Sequence, residues 1–313
     1  MSSQDIKNIN FENNETLAWL TLIFLSAIWG TSFILIKKAL IVFEPSEVAL
    51  LRIGISGLAF TPFFIIHFRK LEWHRWPIYI VIALTGSAVP AFLFATAQTQ
   101  ISSSTAGILN SMTPIFTLII GTLAFKNATN KFQIIGIFLG FVGAVLLITL
   151  GGGGGKFQIT DLIYGGLIII GALLYGTNVN LIQKYFSHVN SIRLSTFAFF
   201  MLGIPVLLFI PFTEIPHKVL NDPLGWQSLG YMTILAVVST MLALIIFYKL
   251  VQQTDAVFGS SVAYLIPIVA MIWGFADGEL ISIFHIISMA LIIFGVYLSR
   301  IKPKVNSDSS SGQ

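Results

Sequence analysis

Polar side chains are costly in hydrocarbon, so those set inside long apolar runs mark the places where a chain of this kind could do chemistry. Gly107, Asn110, Ser111 and Pro114 fall at i, i+3, i+4 and i+7, one face of a helix. Ser260, Tyr264 and Pro267 form the equivalent face later in the chain. Each face joins hydrogen-bonding groups to a proline that frees a backbone carbonyl, so the two are candidates to line one shared cavity. The competing reading is ordinary helix packing, where small and polar residues are enriched anyway. Trp29, Thr31 and Ser32 in one run, and Tyr175, Thr177, Asn178 and Asn180 in another, add aromatics beside Gly30 and Gly176. Such rings can stack on a substrate body or act as a thin gate, or simply pack against a neighbour. Ser87, Ala91, Phe94 and Gln98 share a further face, answered by Thr240 and Phe247. Gly30, Pro114, Gly176 and Pro267 are the candidate hinge or gate positions. Arg52 is the one basic residue well inside an apolar run. It could attract an anionic or carboxylate group, or snorkel and pair with Glu47.

Other chemistries lack their residues. The 313 residues include no cysteine, which excludes a disulfide framework, thiol catalysis, Fe–S clusters and Cys-type zinc sites. The sequence has no HExxH pair and no two intramembrane aspartates, the signatures of intramembrane hydrolysis. Asp277 lies at the end of a run, and His67, His74, His188, His217 and His285 are scattered without metal-ligand spacing. The expectation is therefore no enzyme, no metal and no cofactor. Without Asp or Glu in mid-run, no single proton-binding carboxylate is evident.

The elements that must position these groups follow from composition. Side chains are 56% apolar and only 10% charged, with a mean hydropathy of +0.88, against about 25% charged in soluble domains. The solvent for such a surface is the lipid bilayer. Crossing it takes about 20 apolar residues per helix. Ten runs qualify: 17–38, 46–67, 77–99, 103–125, 132–150, 161–183, 191–212, 227–248, 255–276 and 280–300. The longest inter-helix segment, 213–226, is too short to hide a soluble domain. The expected organisation is a cytoplasmic tail (1–16) without a cleavable signal peptide, a first five-helix repeat (17–150), a Gly-rich loop (151–160), a second repeat (161–300) and a disordered cytoplasmic tail (301–313). Twelve Lys and Arg lie on the side that holds both termini, against Lys37, Lys38, Lys156 and Lys218 on the other. Basic residues mark the cytoplasmic face, which predicts cytoplasmic termini in a plasma or inner membrane. Their scatter argues against nucleic acid as a partner, despite a net charge of +4.

Two copies of one unit are legible. Ala27 to Lys38 aligns 146 positions on with Leu173 to Lys184, matching Gly30 to Gly176 and Thr31 to Thr177. An offset of 153 pairs Phe94 with Phe247, Gln100 with Gln253, Pro114 with Pro267 and Gly121 with Gly274. Each copy has five spans, an odd number, so the second must be inverted. The fold class is thus an all-α membrane protein of ten transmembrane helices in two inverted five-helix repeats, an architecture typical of secondary transporters that hold substrate between the halves.

Trp29-Gly30-Thr31-Ser32-Phe33, Pro45 followed seven residues later by Arg52, Ala106 to Pro114, the matching Ala256 to Pro267, Glu279 and a closing helix ending near Arg300 together resemble the EamA-type members of the drug/metabolite transporter superfamily. The resemblance covers about residues 17 to 300. It implies a ten-helix transporter of small metabolites, often an exporter, working without ATP. The family shows Arg broadly at the Arg52 position, which favours the structural pairing with Glu47. The family pattern also places an acid a dozen residues after each helix-4 and helix-9 proline. Glu279 fits, whereas the first copy has Lys126. The expected function is a secondary carrier, with export favoured, of a small metabolite such as an amino acid or drug-like compound by alternating access. The alternative is a passive channel or membrane sensor. Expected partners are the small-molecule substrate and the lipid bilayer, with the protein a monomer or possible homodimer. Gly136, Gly140 and Gly143 give a small-residue face for packing within the monomer or a dimer. Trp73, Trp76 and Trp226 fit an interfacial belt.

Overall fold

The computed structural model describes residues 14–70, 72–125, 130–150, 159–254 and 256–299. The expected terminal tails up to residue 13 and from 300 on, most of the Gly-rich loop, Lys126 and Arg300 lie outside these residues. Ten helical spans follow in chain order: α1 (Glu15–Ala39), α2 (Pro45–His67), α3 (Trp73–Ala97), α4 (Ser103–Ala124) and α5 (Lys131–Leu150), then α6 (Ile159–Phe186), α7 (Ser191–Phe209), α8 (Gly225–Gln253), α9 (Phe258–Ala276) and α10 (Ile283–Ser299). Among the described residues nine helices are long and apolar enough to cross a membrane, and the tenth is shorter. A short helix, Ile215–Asn221, occupies the segment between α7 and α8. No strand occurs among the described residues.

Local chemistry sets the ends. Asn14 caps α1 by accepting the Leu17 N–H at 2.9 Å, and Lys37 and Lys38 fall in its last turn, where cations complement the helix dipole. Pro45 opens α2, where its missing N–H costs nothing, and Glu47 reaches back to the Glu44 N–H at 2.8 Å.

Four spans are irregular, and they pair across the repeats. Both α3 and α8 contain a π-helical stretch, Leu84–Ala88 and Leu235–Leu242. Helix α4 breaks after Asn110 and restarts at Thr113. Pro114 has no N–H to give the Asn110 carbonyl, and the Thr113 hydroxyl donates to that carbonyl instead, at 2.8 Å. Just before Pro267, α9 tightens into a 3-10 turn, Ser261–Tyr264.

The packing repeats as well. Helix α1 lies against α9, and α6 against α4. A Cβ added to Gly30 would collide with the Val269 side chain, and one on Gly176 would lie 2.7 Å from the Thr117 backbone nitrogen and 3.1 Å from the Phe116 Cβ. Val269 and Phe116 are themselves 153 residues apart, so one close approach occurs twice. Helices α2 and α7 cross with Gly57 on Gly203, backbone to backbone, and α5 and α10 close with Gly295 on Gly136 and Gly140. The glycine face of α5 thus packs within the chain. Trp73, Trp76 and Trp226 are exposed.

Candidate functional site

Between the halves lies a cavity of about 90 Å³, several times what one water needs. Its walls are drawn from equivalent positions of the two repeats. Trp29 faces Tyr175, Ser32 pairs with Asn178 and Phe33 with Val179 at the 146 offset, while Gly86 pairs with Ser239, Phe94 with Phe247, Asn110 with Ala263 and Thr113 with Ile266 at the 153 offset. The cavity therefore sits on the axis that relates the repeats.

The irregular stretches shape it. Gly86 and Ser239 belong to the two π-helical stretches, a feature often found at functional sites. The Trp29 indole N–H donates to the Ser239 carbonyl at 2.8 Å, tying α1 to α8. In the matching place, the Asn178 amide donates to the Ile82 carbonyl at 2.9 Å and to the Thr85 hydroxyl at 3.1 Å, tying α6 to α3. Aromatic rings form two walls. Trp29 meets Phe247 edge-on with centroids 4.9 Å apart, and Phe94 lies 5.8 Å from both Phe33 and Tyr175.

Nine of the residues expected to face a pathway line this space: Trp29, Ser32, Arg52, Phe94, Asn110, Tyr175, Asn178, Phe247 and Ser260. The others lie elsewhere. Thr31 accepts the Trp273 indole N–H at 2.9 Å on the α1–α9 contact. Ser87 is buried behind the wall, and Ser111 donates to the Ile108 carbonyl. Thr240 holds Arg52, and the Tyr264 hydroxyl donates to the Val296 carbonyl at 3.3 Å. Gly30 and Gly176 are close-packing points, and Pro114 and Pro267 start the second halves of α4 and α9. Phe33, Thr113, Val179, Ser239 and Ile266 line the cavity without having been singled out as site residues. Phe33 and Val179, and Thr113 and Ile266, are partners of one another at the repeat offsets, and Ser239 is the partner of Gly86, so no residue already singled out pointed to them through the repeat.

The pairing expected between Arg52 and Glu47 does not form. Five residues turn a helix by about 500°, leaving the two side chains some 140° apart around α2. Glu47 instead takes Lys218 of the short helix at 2.7 Å. Arg52, 7% exposed, points the other way, and its Nε donates to the Thr240 hydroxyl at 2.9 Å. The guanidinium also acts on the Tyr175 hydroxyl. Among the described residues no carboxylate pairs with it. The second repeat has Ala198 at the corresponding position, so a nearly symmetric chamber carries one charge on one side.

An ionic layer lies beyond the chamber at the end of α1. Lys37 lies a residue beyond the wall residue Ile36 and contacts Asp277 at 2.7 Å and Glu279 at 2.9 Å, while Lys38 also pairs with Asp277. Glu279 accepts the Ser103 and Ser104 N–H groups at 2.9 and 3.1 Å and the Ser104 hydroxyl at 2.7 Å, capping α4. This layer binds the end of α1, the start of α4 and the end of α9. Burial pushes the Glu279 carboxyl up, but Lys37, the Ser104 hydroxyl and the two backbone amides outweigh it and hold it below the usual carboxylate range. Hydrogen bonds from Lys37 and Lys38 hold Asp277 low in the same way. No group of three or more metal-ligating side chains occurs among the described residues.

Known proteins resemble the chain along nearly its whole length. The family model described as the EamA-like transporter family matches residues 17–149 and 163–301. The chain is 23% identical over 286 residues to an uncharacterized transporter of Archaeoglobus fulgidus, covering 90% of this chain and 97% of that one. It is 26% identical to the uncharacterized transporter YyaM of Bacillus subtilis, with 94% and 97% covered. The uncharacterized inner membrane transporter YedA of Escherichia coli K12 is 25% identical, with 87% and 86% covered. A crystal structure at 18% identity shares the fold with a TM-score of 0.61, over 91% of this chain and 96% of that chain. This chain is a multi-pass integral membrane protein that belongs to the EamA-like transporter family.

Proposed function

We propose that this protein is a secondary carrier that moves a small metabolite, in the export direction, by alternating access and without ATP. The observation that carries this reading is the chamber on the repeat axis, lined by matched residues of both halves, with the Lys37, Asp277 and Glu279 layer beyond the end of α1. Inverted repeats around a midplane site give two arrangements of similar energy, each open to one face. The helix breaks in α4 and α9 lie beside the chamber. The excess of Lys and Arg on the side of the termini orients the chain with both termini in the cytoplasm of a plasma or inner membrane. The ion layer then faces outward and the chamber is poised to load from inside. No chemistry on the cargo is required, and the chain acts as a carrier rather than an enzyme.

The test compares metabolites inside and outside cells with and without the protein, followed by reconstitution of the released compounds in liposomes. Saturable movement of a compound depleted inside and enriched outside is the expected result. Conductance steps, flux that never saturates, or no movement across a broad panel while a verified carrier works alongside would overturn it.

A further inference from the structure

Resting on the carrier reading, the chamber itself constrains the cargo. Arg52 is always charged at physiological pH and is buried at 7% exposure. Its Nε is committed to Thr240, a dipole that does not neutralise it, and no acidic side chain lines the cavity. A buried cation without a counterion is costly, far more so than one that is paired and hydrogen-bonded. The guanidinium presents a planar fork that matches a carboxylate or sulfonate with two parallel bonds, and the Tyr175 hydroxyl stands beside it. The rings of Trp29, Phe33, Phe94 and Phe247 offer flat apolar surface in the same cavity, whose other polar side chains are neutral hydroxyls and amides. Aromatic faces alone would welcome a cation. Here a full positive charge shares the same enclosed space, and its field falls off more slowly than that of a ring quadrupole, so the charge decides.

We infer that the cargo is a small organic monoanion with a flat apolar body, its acidic group held on Arg52 and its body against the aromatic walls. The anion supplies the missing countercharge, so the chamber closes most readily when loaded.

The experiment uses one body with three charges on the full-length protein in detergent: 3-phenylpropionate, 3-phenylpropionamide and 3-phenylpropylammonium, with acetate as charge without body. Thermal stabilisation of the wild-type protein is expected to require about tenfold less of the anion than of the amide, as for a charge-assisted bond, with neither the ammonium nor acetate binding in that range. Arg52→Gln should bring the anion down to the level of the amide while the amide is unchanged, and Arg52→Lys should recover part of the difference. Equal binding of anion and amide by the wild type, preference for the ammonium, or no binding by any of the three overturns the proposal without reference to any variant's folding. A second arm separates the underlying reading. Counterflow of 3-phenylpropanesulfonate, a permanent anion that does not leak as a neutral acid, is measured in liposomes. Anion-selective binding without saturable counterflow sinks the carrier and keeps the site, whereas saturable counterflow of neutral or cationic compounds alone sinks the anion and keeps the carrier.

Discussion

Removing one charge from the ion layer should open the chamber at that end. Glu279→Gln keeps the shape of the side chain and one oxygen that can serve the Ser103 or the Ser104 amide but not both, and it removes the ionic contact with Lys37 at 2.9 Å. Hydrogen bonds to charged groups contribute about 1.5–3 kcal/mol each. Lys37 is about a third exposed and keeps Asp277 at 2.7 Å, so water and the remaining acid recover part of the loss. A net loss of about 2 kcal/mol is expected, which shifts a two-state balance roughly thirtyfold toward the open arrangement. The chain has no cysteine, so Ser32→Cys puts a single thiol on the cavity wall. The assay is the rate at which an impermeant maleimide, applied from the face that carries Lys37, reaches that thiol in reconstituted protein. Labelling should rise by about that factor, or to saturation, in the Glu279→Gln background. Unchanged labelling in a protein that melts normally would refute the idea that this layer keeps the end shut.

Acid should imitate the substitution. Asp277 and Glu279 are held below their ordinary pKa, so their contribution is complete above the unfolded-state values of about 4 and is lost as pH falls through the folded-state values. Divided at each pH by the rate at which the same maleimide labels a free small thiol, labelling should therefore be flat from neutral pH down to about 5 and rise only below about 4. Gly57→Ala and Gly203→Ala each insert a methyl into a backbone contact and should each destabilise by about 1–3 kcal/mol. The double variant should cost less than the sum in SDS unfolding, because the first methyl already parts α2 from α7. Trp29→Phe removes the indole donation to the Ser239 carbonyl and should lower stability by about 1 kcal/mol and slow transport. Full activity with unchanged melting would show that this tie is dispensable.

Ten apolar runs, their order and the two offsets were legible because bilayer thickness and backbone hydrogen bonding leave few alternatives to a helix. Pro45 stands at the start of α2, and Asn190 caps α7 by accepting the Ile192 and Arg193 N–H groups. Side-chain direction was harder to read. Spacing grouped Asn110 with Ser111, yet the break before Pro114 turns one to the cavity and the other to its own helix. Ser87 and Thr240 sit in π-helical stretches, where the extra residue shifts the face that a regular period assigns. Arg52 and Glu47 do not pair because five residues set them on different sides of α2, a geometry the resemblance does not override. Lys218, the partner Glu47 takes, is 171 positions distant and carries no local signal.

Exchanging the two halves turns the α1–α9 contact into the α6–α4 contact, but it maps the α2–α7 crossing and the α5–α10 seam each onto itself. On the proposed alternating-access reading, those two glycine joints are the contacts that keep the same partners in both arrangements, the natural pivots for one half to tip against the other.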